Sequence, residues 1–310
     1  MSEQPQQHMQ CMEVWGGSQL TTQGVAFGGL DAWVYSKPFG NAQRGGDVYY
    51  GSSCASGRIT RLLLADVAGH GTSVAETAAD LRTLMRRFVN RLDQTEFVRL
   101  LNQQFTALSK DGAFATAVVA TFFEPSRRMS VCNAGHPRPL VYRAARQRWE
   151  FLGHGTFDPE AAKKQAGPSN LPLGMLEISE YDQFDIELEP GDCVLSYTDA
   201  LMESKDATGE ILGEHGVLRI LRLVGAAEPQ TLIPKLLAEI AERYPLNLTE
   251  DDVTVLLVRA NGRKARYTLR EKFAALLKFG GFPPLPDLNL ANVGGAFIPA
   301  LARRWRAKPR

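Results

Sequence analysis

Residues 59–71 read I-T-R-L-L-L-A-D-V-A-G-H-G. An apolar run of strand length, Ile59 to Ala65, ends on an acid, Asp66. It then passes through Val67, Ala68 and Gly69 to His70 and Gly71. A Leu/Ile-rich run bounded by glycines reads as a buried strand that stops at a sharp turn. The flanks decide the architecture. Upstream, Asp47–Ser53 (D-V-Y-Y-G-S-S) reads as a second strand, joined to the first by a turn around Ala55-Ser56-Gly57. The two therefore pair. Downstream, Val74, Ala78, Leu81, Met85 and Phe88 recur at steps of three and four and predict a helix from about Gly71 to Asn90. A second helix is predicted over about Thr95–Ser109, with Phe97, Leu100, Leu101, Phe105 and Leu108 on one face. Asp93 or Thr95 is its expected N-cap.

The pattern repeats further along. Strands are predicted at Ala115–Phe123, Arg128–Asn133, Pro139–Arg143 and Trp149–Leu152, with a hairpin turn at Glu124-Pro125-Ser126. Residues 153–170 are polar, long for a connection, and read as a functional or mobile loop. Strands resume at Tyr181–Leu188 and Cys193–Tyr197 around a turn at Glu189–Asp192. Helices are predicted at Glu214–Val224 and Pro229–Arg243, and a last buried strand at Val253–Val258. Strands then helices, twice over, with hairpin turns in place of regular βα alternation, argue for an α+β fold. The expected form is two stacked antiparallel β-sheets flanked by α-helices. Residues 1–40 are expected to be a loose lead-in with at most an edge strand, 41–262 the domain, and 263–310 a tail.

Composition narrows the class. The chain has 310 residues, 35 Lys+Arg against 34 Asp+Glu, and 44% hydrophobic residues. That is too apolar and too balanced for global disorder. No apolar run is long enough to span a bilayer, and the N-terminus lacks a secretory pattern. The net charge of +1 conceals a division. Residues 263–310 hold eleven Lys/Arg against Glu271 and Asp287, a net of +9, so the rest of the chain carries −8. Such a tail is expected to lie on an anionic membrane surface, to dock on the acidic body, to bind a partner, or simply to be solvated. Cys11, Cys54, Cys132 and Cys193 are widely spaced, with no C-x-x-C, and fit reduced thiols in a cytoplasmic protein.

Four acids stand out by position. Asp47 opens a strand after Gly45-Gly46, Asp66 and Asp199 close apolar strands, and Asp251 directly precedes V-T-V-L-L-V together with Asp252. Each taken alone is most simply a solvated turn residue. If the strand ends converge, however, the carboxylates repel one another unless protons or cations neutralise them. Hard divalent cations with oxygen ligands suit such a set, Mg²⁺ or Mn²⁺ rather than zinc.

Seven strings in order then carry a resemblance: R-G-G-D (44–47), A-D-V-A-G-H-G (65–71), F-A-T-A-V (114–118), N-A-G-H-P-R-P-L (133–140), L-P-L-G (171–174), G-D-C-V-L-S-Y-T-D-A-L-M-E (191–203) and D-D-V-T-V-L-L-V (251–258). They resemble the PPM-type (type 2C) protein serine/threonine phosphatases, in the bacterial branch of SpoIIE and RsbU-type proteins. The resemblance implies a type 2C phosphatase-like sandwich with two divalent cations, Mn²⁺ or Mg²⁺, at one end. By position, Asp66 would bridge both, the Val67 carbonyl would serve one, Asp199 and Asp251 would complete the other, and Asp47 would act directly or through water. Asp252 is the less expected ligand of its pair. The implied chemistry is hydrolysis of a phosphoserine or phosphothreonine by a metal-activated water. The implied substrate is a small anti-anti-sigma (STAS-type) protein in a partner-switching pathway, an inference by analogy. The competing reading is a non-catalytic binding protein of the same fold. No nucleic-acid partner is expected.

Other residues have two readings each. His70 would serve as a general acid or fix a helix start. Gly69 lets the chain turn sharply after Asp66. His136 is expected to order a tight turn with Asn133 and Gly135, and Arg44 to meet a substrate phosphate or simply lie on the surface. Ala200 stands where many relatives have Gly. Some 40 residues precede Gly45, so regulation is expected from a separate partner, from residues 71–109 or from the tail.

Overall fold

The computed structural model describes residues 7–8, 14–54, 57–68, 72–88, 91, 93–108, 112–153, 170–225 and 228–263. Most of the loop 153–170, Gly69, His70, Gly71 and all of the tail after Arg263 lie outside that set.

Among the described residues, thirteen strands form two sheets. The first comprises β1 (Gln7–His8), β3 (Thr21–Ala26), β4 (Leu30–Lys37), β9 (Leu140–Arg143), β10 (Arg148–Phe151), β12 (Cys193–Tyr197) and β13 (Val253–Ala260), in the order β1-β3-β4-β13-β12-β9-β10. The second comprises β2 (Val14–Gly17), β5 (Asp47–Cys54), β6 (Ile59–Val67), β7 (Ala115–Phe123), β8 (Arg128–Ala134) and β11 (Gln183–Glu187), in the order β11-β8-β7-β6-β5-β2. Pairing is antiparallel except for β1 against β3. The helices are α1 (Thr72–Phe88), α2 (Gln94–Leu108), α3 (Ala200–Glu203), α4 (Gly213–Val224) and α5 (Pro229–Ala241).

Side-chain alternation along each strand sorts the core into three layers. Leu62 and Leu64 of β6 meet Val34 of β4 and Leu256 and Val258 of β13 between the sheets. Leu63 and Ala65, one residue out of phase, face the stripe Leu81, Met85, Phe97, Leu101 and Phe105 of α1 and α2. Leu195, Val255 and Leu257 face Val217, Leu221, Leu232 and Leu236 of α4 and α5. The expected sandwich is therefore present, helices on both outer faces. Asp93 caps α2, its Oδ1 accepting from the Glu96 amide at 2.7 Å, so Thr95 is inside the first turn. Cys132 and Cys193 are free and buried, and burial raises both thiols to about 12.

One expectation needs correction. Residues 14–37 are not a loose lead-in. β4 pairs with β13 over eight residues, from Lys37↔Val253 to Leu30↔Ala260, and lies inside the seven-stranded sheet. Its alternation is hidden because both faces are covered: Leu30, Ala32 and Val34 face the other sheet, while Trp33 and Tyr35 pack toward α4 and α5. A strand buried on both sides shows no polar face to read.

Candidate metal centre

The register brings the strand-end acids to one end of the sandwich. Asp47, first residue of β5, is directly opposite Asp66 near the end of β6. On the other sheet, the Thr198 amide donates to the Thr254 carbonyl at 3.0 Å, which sets Asp199 beside the start of β13 and hence near Asp251. The two halves are tied across the gap. Thr198 Oγ1 donates to Asp47 Oδ2 at 2.9 Å and accepts from the Thr254 amide at 3.0 Å. The Thr254 hydroxyl is in turn bonded to Ser36 Oγ at 2.9 Å.

Asp252 has a different task from its neighbour. Its carboxylate accepts the amides of Phe39 at 2.6 Å, Gly46 at 2.5 Å and Asp47 at 3.3 Å. It thereby pins the 39–47 loop, and with it Asp47, to the start of β13. A Cβ on Gly45 would come 2.3 Å from Asp252 Oδ2, so only glycine admits this approach. Asp251 is left exposed, one oxygen accepting the Asp252 amide at 2.7 Å.

The electrostatics follow. Burial first, then Asp66, holds the Asp47 carboxyl well above the ordinary range. Asp66 is raised to about 7 by burial, and further by Asp199, Asp251, Asp252 and Glu203. Asp199 is raised to about 6 by burial, Glu203 and Asp251, against the pull of the Ala200 amide. The largest contributions to these shifts come from burial, other acids and hydrogen bonds, and none of them from a Lys or Arg. An all-oxygen set under mutual repulsion has the chemistry of a hard-cation site. Among the described residues, however, no three Asp, Glu, His or Cys side chains stand close enough to hold an ion as they are.

The remaining expected residues are placed as follows. Val67 is buried at the end of β6, its amide on the Gly46 carbonyl at 3.3 Å. Arg44 is exposed on the loop before Gly45. Gly69 and His70 lie outside the described residues. Asn133 brackets His136, its Nδ2 donating to the His136 carbonyl at 2.9 Å and its Oδ1 accepting the His136 amide at 2.8 Å. His136 is buried, and its ring meets Thr116 Oγ1 at 2.9 Å. A 90 Å³ cavity lies beside the acids, lined by Glu203, Lys205, Tyr244, Asn247, Glu250 and Asp251 among others. Sequence reasoning missed Thr198, Thr254, Thr116 and Glu203. The signal available for the first two was a hydroxyl beside Asp199 in Y-T-D and one shortly after Asp252 in D-D-V-T.

This architecture has solved counterparts. The RsbU and RsbW domains of Rv1364c from Mycobacterium tuberculosis superpose with a TM-score of 0.59 at 22% identity, over 81% of this chain and 64% of that one. The PP2C phosphatase domain of SpoIIE from Bacillus subtilis, with a fragment of its regulatory domain, gives 0.59 at 15% identity, over 80% and 70%. Together with the strand-end acids, these define the class: a protein with the PP2C phosphatase fold. The chain belongs to the Stage II sporulation protein E (SpoIIE) family, whose model matches residues 56–261. Stage II sporulation protein E of Priestia megaterium is 20% identical over 255 residues, which are 81% of this chain and 40% of that relative. The chain thus spans well under half the length of that relative.

Proposed function

We propose that this protein is a metal-dependent protein serine/threonine phosphatase. The observation that carries this reading is the gathering of Asp47, Asp66 and Asp199 near Asp251 at one end of the sandwich, the first three raised in pKa by burial and by neighbouring acids. Bound there, two divalent cations, Mn²⁺ or Mg²⁺, would supply the Lewis acidity and the activated water for direct hydrolysis of a phosphate monoester. Asp66, between the acids of the two sheets, would hold both ions. The Val67 carbonyl would serve one, and Asp199 and Asp251 the other. Asp47 would act on the first, directly or through water, held in aim by Thr198. Asp252 fixes the loop that carries Asp47 and binds no ion. Arg44, exposed at the mouth of that loop, would receive the substrate phosphate.

The proposed substrate is a phosphoserine or phosphothreonine on an anti-anti-sigma (STAS-type) protein, in a partner-switching pathway. Family membership and the likeness to an RsbU–RsbW protein support it. No helix among the described residues is long and apolar enough to cross a membrane. We place the protein in the cytoplasm, with residues 263–310 as its contact with an anionic membrane. Pelleting with anionic vesicles, with and without those residues, tests that contact.

The deciding experiment incubates the protein and Mn²⁺ with phosphorylated STAS proteins and with a generic phosphopeptide, beside Asp66→Asn. Phosphate release by the wild type alone supports the reading. Absence of release from every substrate, with the STAS protein still bound, would favour a non-catalytic binding protein.

A further inference from the structure

We infer that His136 is a positioning residue that, through Thr116, holds the strand beside Asp66 and so fixes that acid at the site. The inference rests on the reading of the site's acids as metal ligands. Thr116, on β7, lies directly opposite Asp66 in the β6–β7 register. Its hydroxyl is bonded to His136 Nδ1 at 2.9 Å. Burial holds the imidazole pKa down, to about 3, against a weaker upward pull from the backbone of Tyr197 on β12, two residues before Asp199. Among the described residues Nε2 has no hydrogen-bond partner. The imidazole is therefore tied to the strand beside Asp66.

Three features hold it there. Asn133 bonds the His136 backbone in both directions, at 2.9 and 2.8 Å. Gly135 takes φ 67°, and a Cβ at that position would come 2.7 Å from Pro172. The ring is only 5% exposed. A rigid group hydrogen-bonded behind a ligand fixes that ligand's orientation, and loss of such a group typically costs about 10–100-fold in metal affinity or activity.

The test uses the full chain. Mn²⁺ affinity is measured by titration calorimetry, and kcat and KM on a phosphopeptide, for His136→Phe, His136→Asn and Thr116→Val. The expected result is roughly tenfold weaker Mn²⁺ binding and a similar fall in kcat, with KM little changed, for His136→Phe. His136→Asn, whose amide can reproduce the Nδ1 bond, should recover part of both. Thr116→Val should weaken Mn²⁺ binding in the same direction, and adding it to His136→Phe should cost little more. Should His136→Phe fail to fold, Thr116→Val alone decides. Wild-type Mn²⁺ affinity in Thr116→Val, or variants that lose only thermal stability, would overturn the inference. A wild type that binds Mn²⁺ yet hydrolyses nothing would sink the phosphatase reading while leaving the affinity comparison intact. A wild type that binds no Mn²⁺ would overturn both.

Discussion

The two ends of the sandwich treat carboxylates in opposite ways. At the end where β6 and β12 finish, Asp47, Asp66 and Asp199 are raised in pKa by burial and by other acids. At the other end, acids are matched. Buried Asp192 accepts from Arg143 Nη1 at 2.9 Å, the Ala144 amide at 2.8 Å and the Glu189 amide at 3.2 Å. Toward the same end, Arg127 bridges Glu187 and Glu189 at 3.0 Å each, and Asp185 is held low by Arg128 and Ser130. One fold thus contains a satisfied end and a frustrated end. Frustration retained in an otherwise well-paired structure marks a functional site.

The sharpest way to break the comparison is to remove charge at each end. Asp66→Asn and Asp199→Asn should each lower kcat on a phosphopeptide with Mn²⁺ by at least about 100-fold. Full activity in both would show that the acids are not catalytic. Asp192→Ala should do the reverse. It strands Arg143 and two amides, so stability should fall by about 2–4 kcal/mol, read as a lower urea midpoint, with kcat per folded molecule retained. Gly45→Ala lies between these cases. It forces Asp252 off the loop and should cost about 1–3 kcal/mol together with a loss of activity, measured by the same two assays.

Acidity gives a gentler contrast. Between the ordinary carboxylate pKa of about 4 and the raised values of Asp66 and Asp199, the folded chain holds more protons than the unfolded one. Their contribution to metal-free stability is therefore full below about pH 4 and is lost as pH rises through about 6 to 7. Melting curves in chelator should show that decline, Asp66→Asn should flatten it, and Mn²⁺ should raise the melting temperature most at the upper end. Asp185 runs the other way, because its pKa is lowered: its stability is present above the ordinary value and lost as pH falls below it. The smallest effect is expected there, since Asp185→Asn removes a largely exposed pair and should cost less than about 1 kcal/mol in a urea titration.

Much of this contrast was legible in the chain before folding. The strand from Ala115 to Phe123 and that from Cys193 to Tyr197 occur with the expected bounds, because turn residues and apolar runs mark them locally. The stripe of α1 packs as its spacing required, and so do Phe97, Leu101 and Phe105 of α2, while Leu108 at its end is exposed. β4 was not legible, since a strand covered on both faces has no polar side. Nor were Thr198 and Thr116, whose roles depend on Asp47, 151 residues away, and on His136 across a hairpin.

What the sequence by itself determined is the order of strands and helices and the placing of Asp47, Asp66, Asp199 and Asp251 at strand ends. Those properties are local, written in periods of two and of three to four residues. Only the tertiary structure decided which acids face one another, that Asp252 anchors a loop while Asp251 stays exposed, and that one threonine joins the two sheets. Each of these depends on register between segments as far as 206 residues apart. A shift of one residue would turn every such side chain to the opposite face, so burial of whole sheet faces, not any local signal, selects the arrangement.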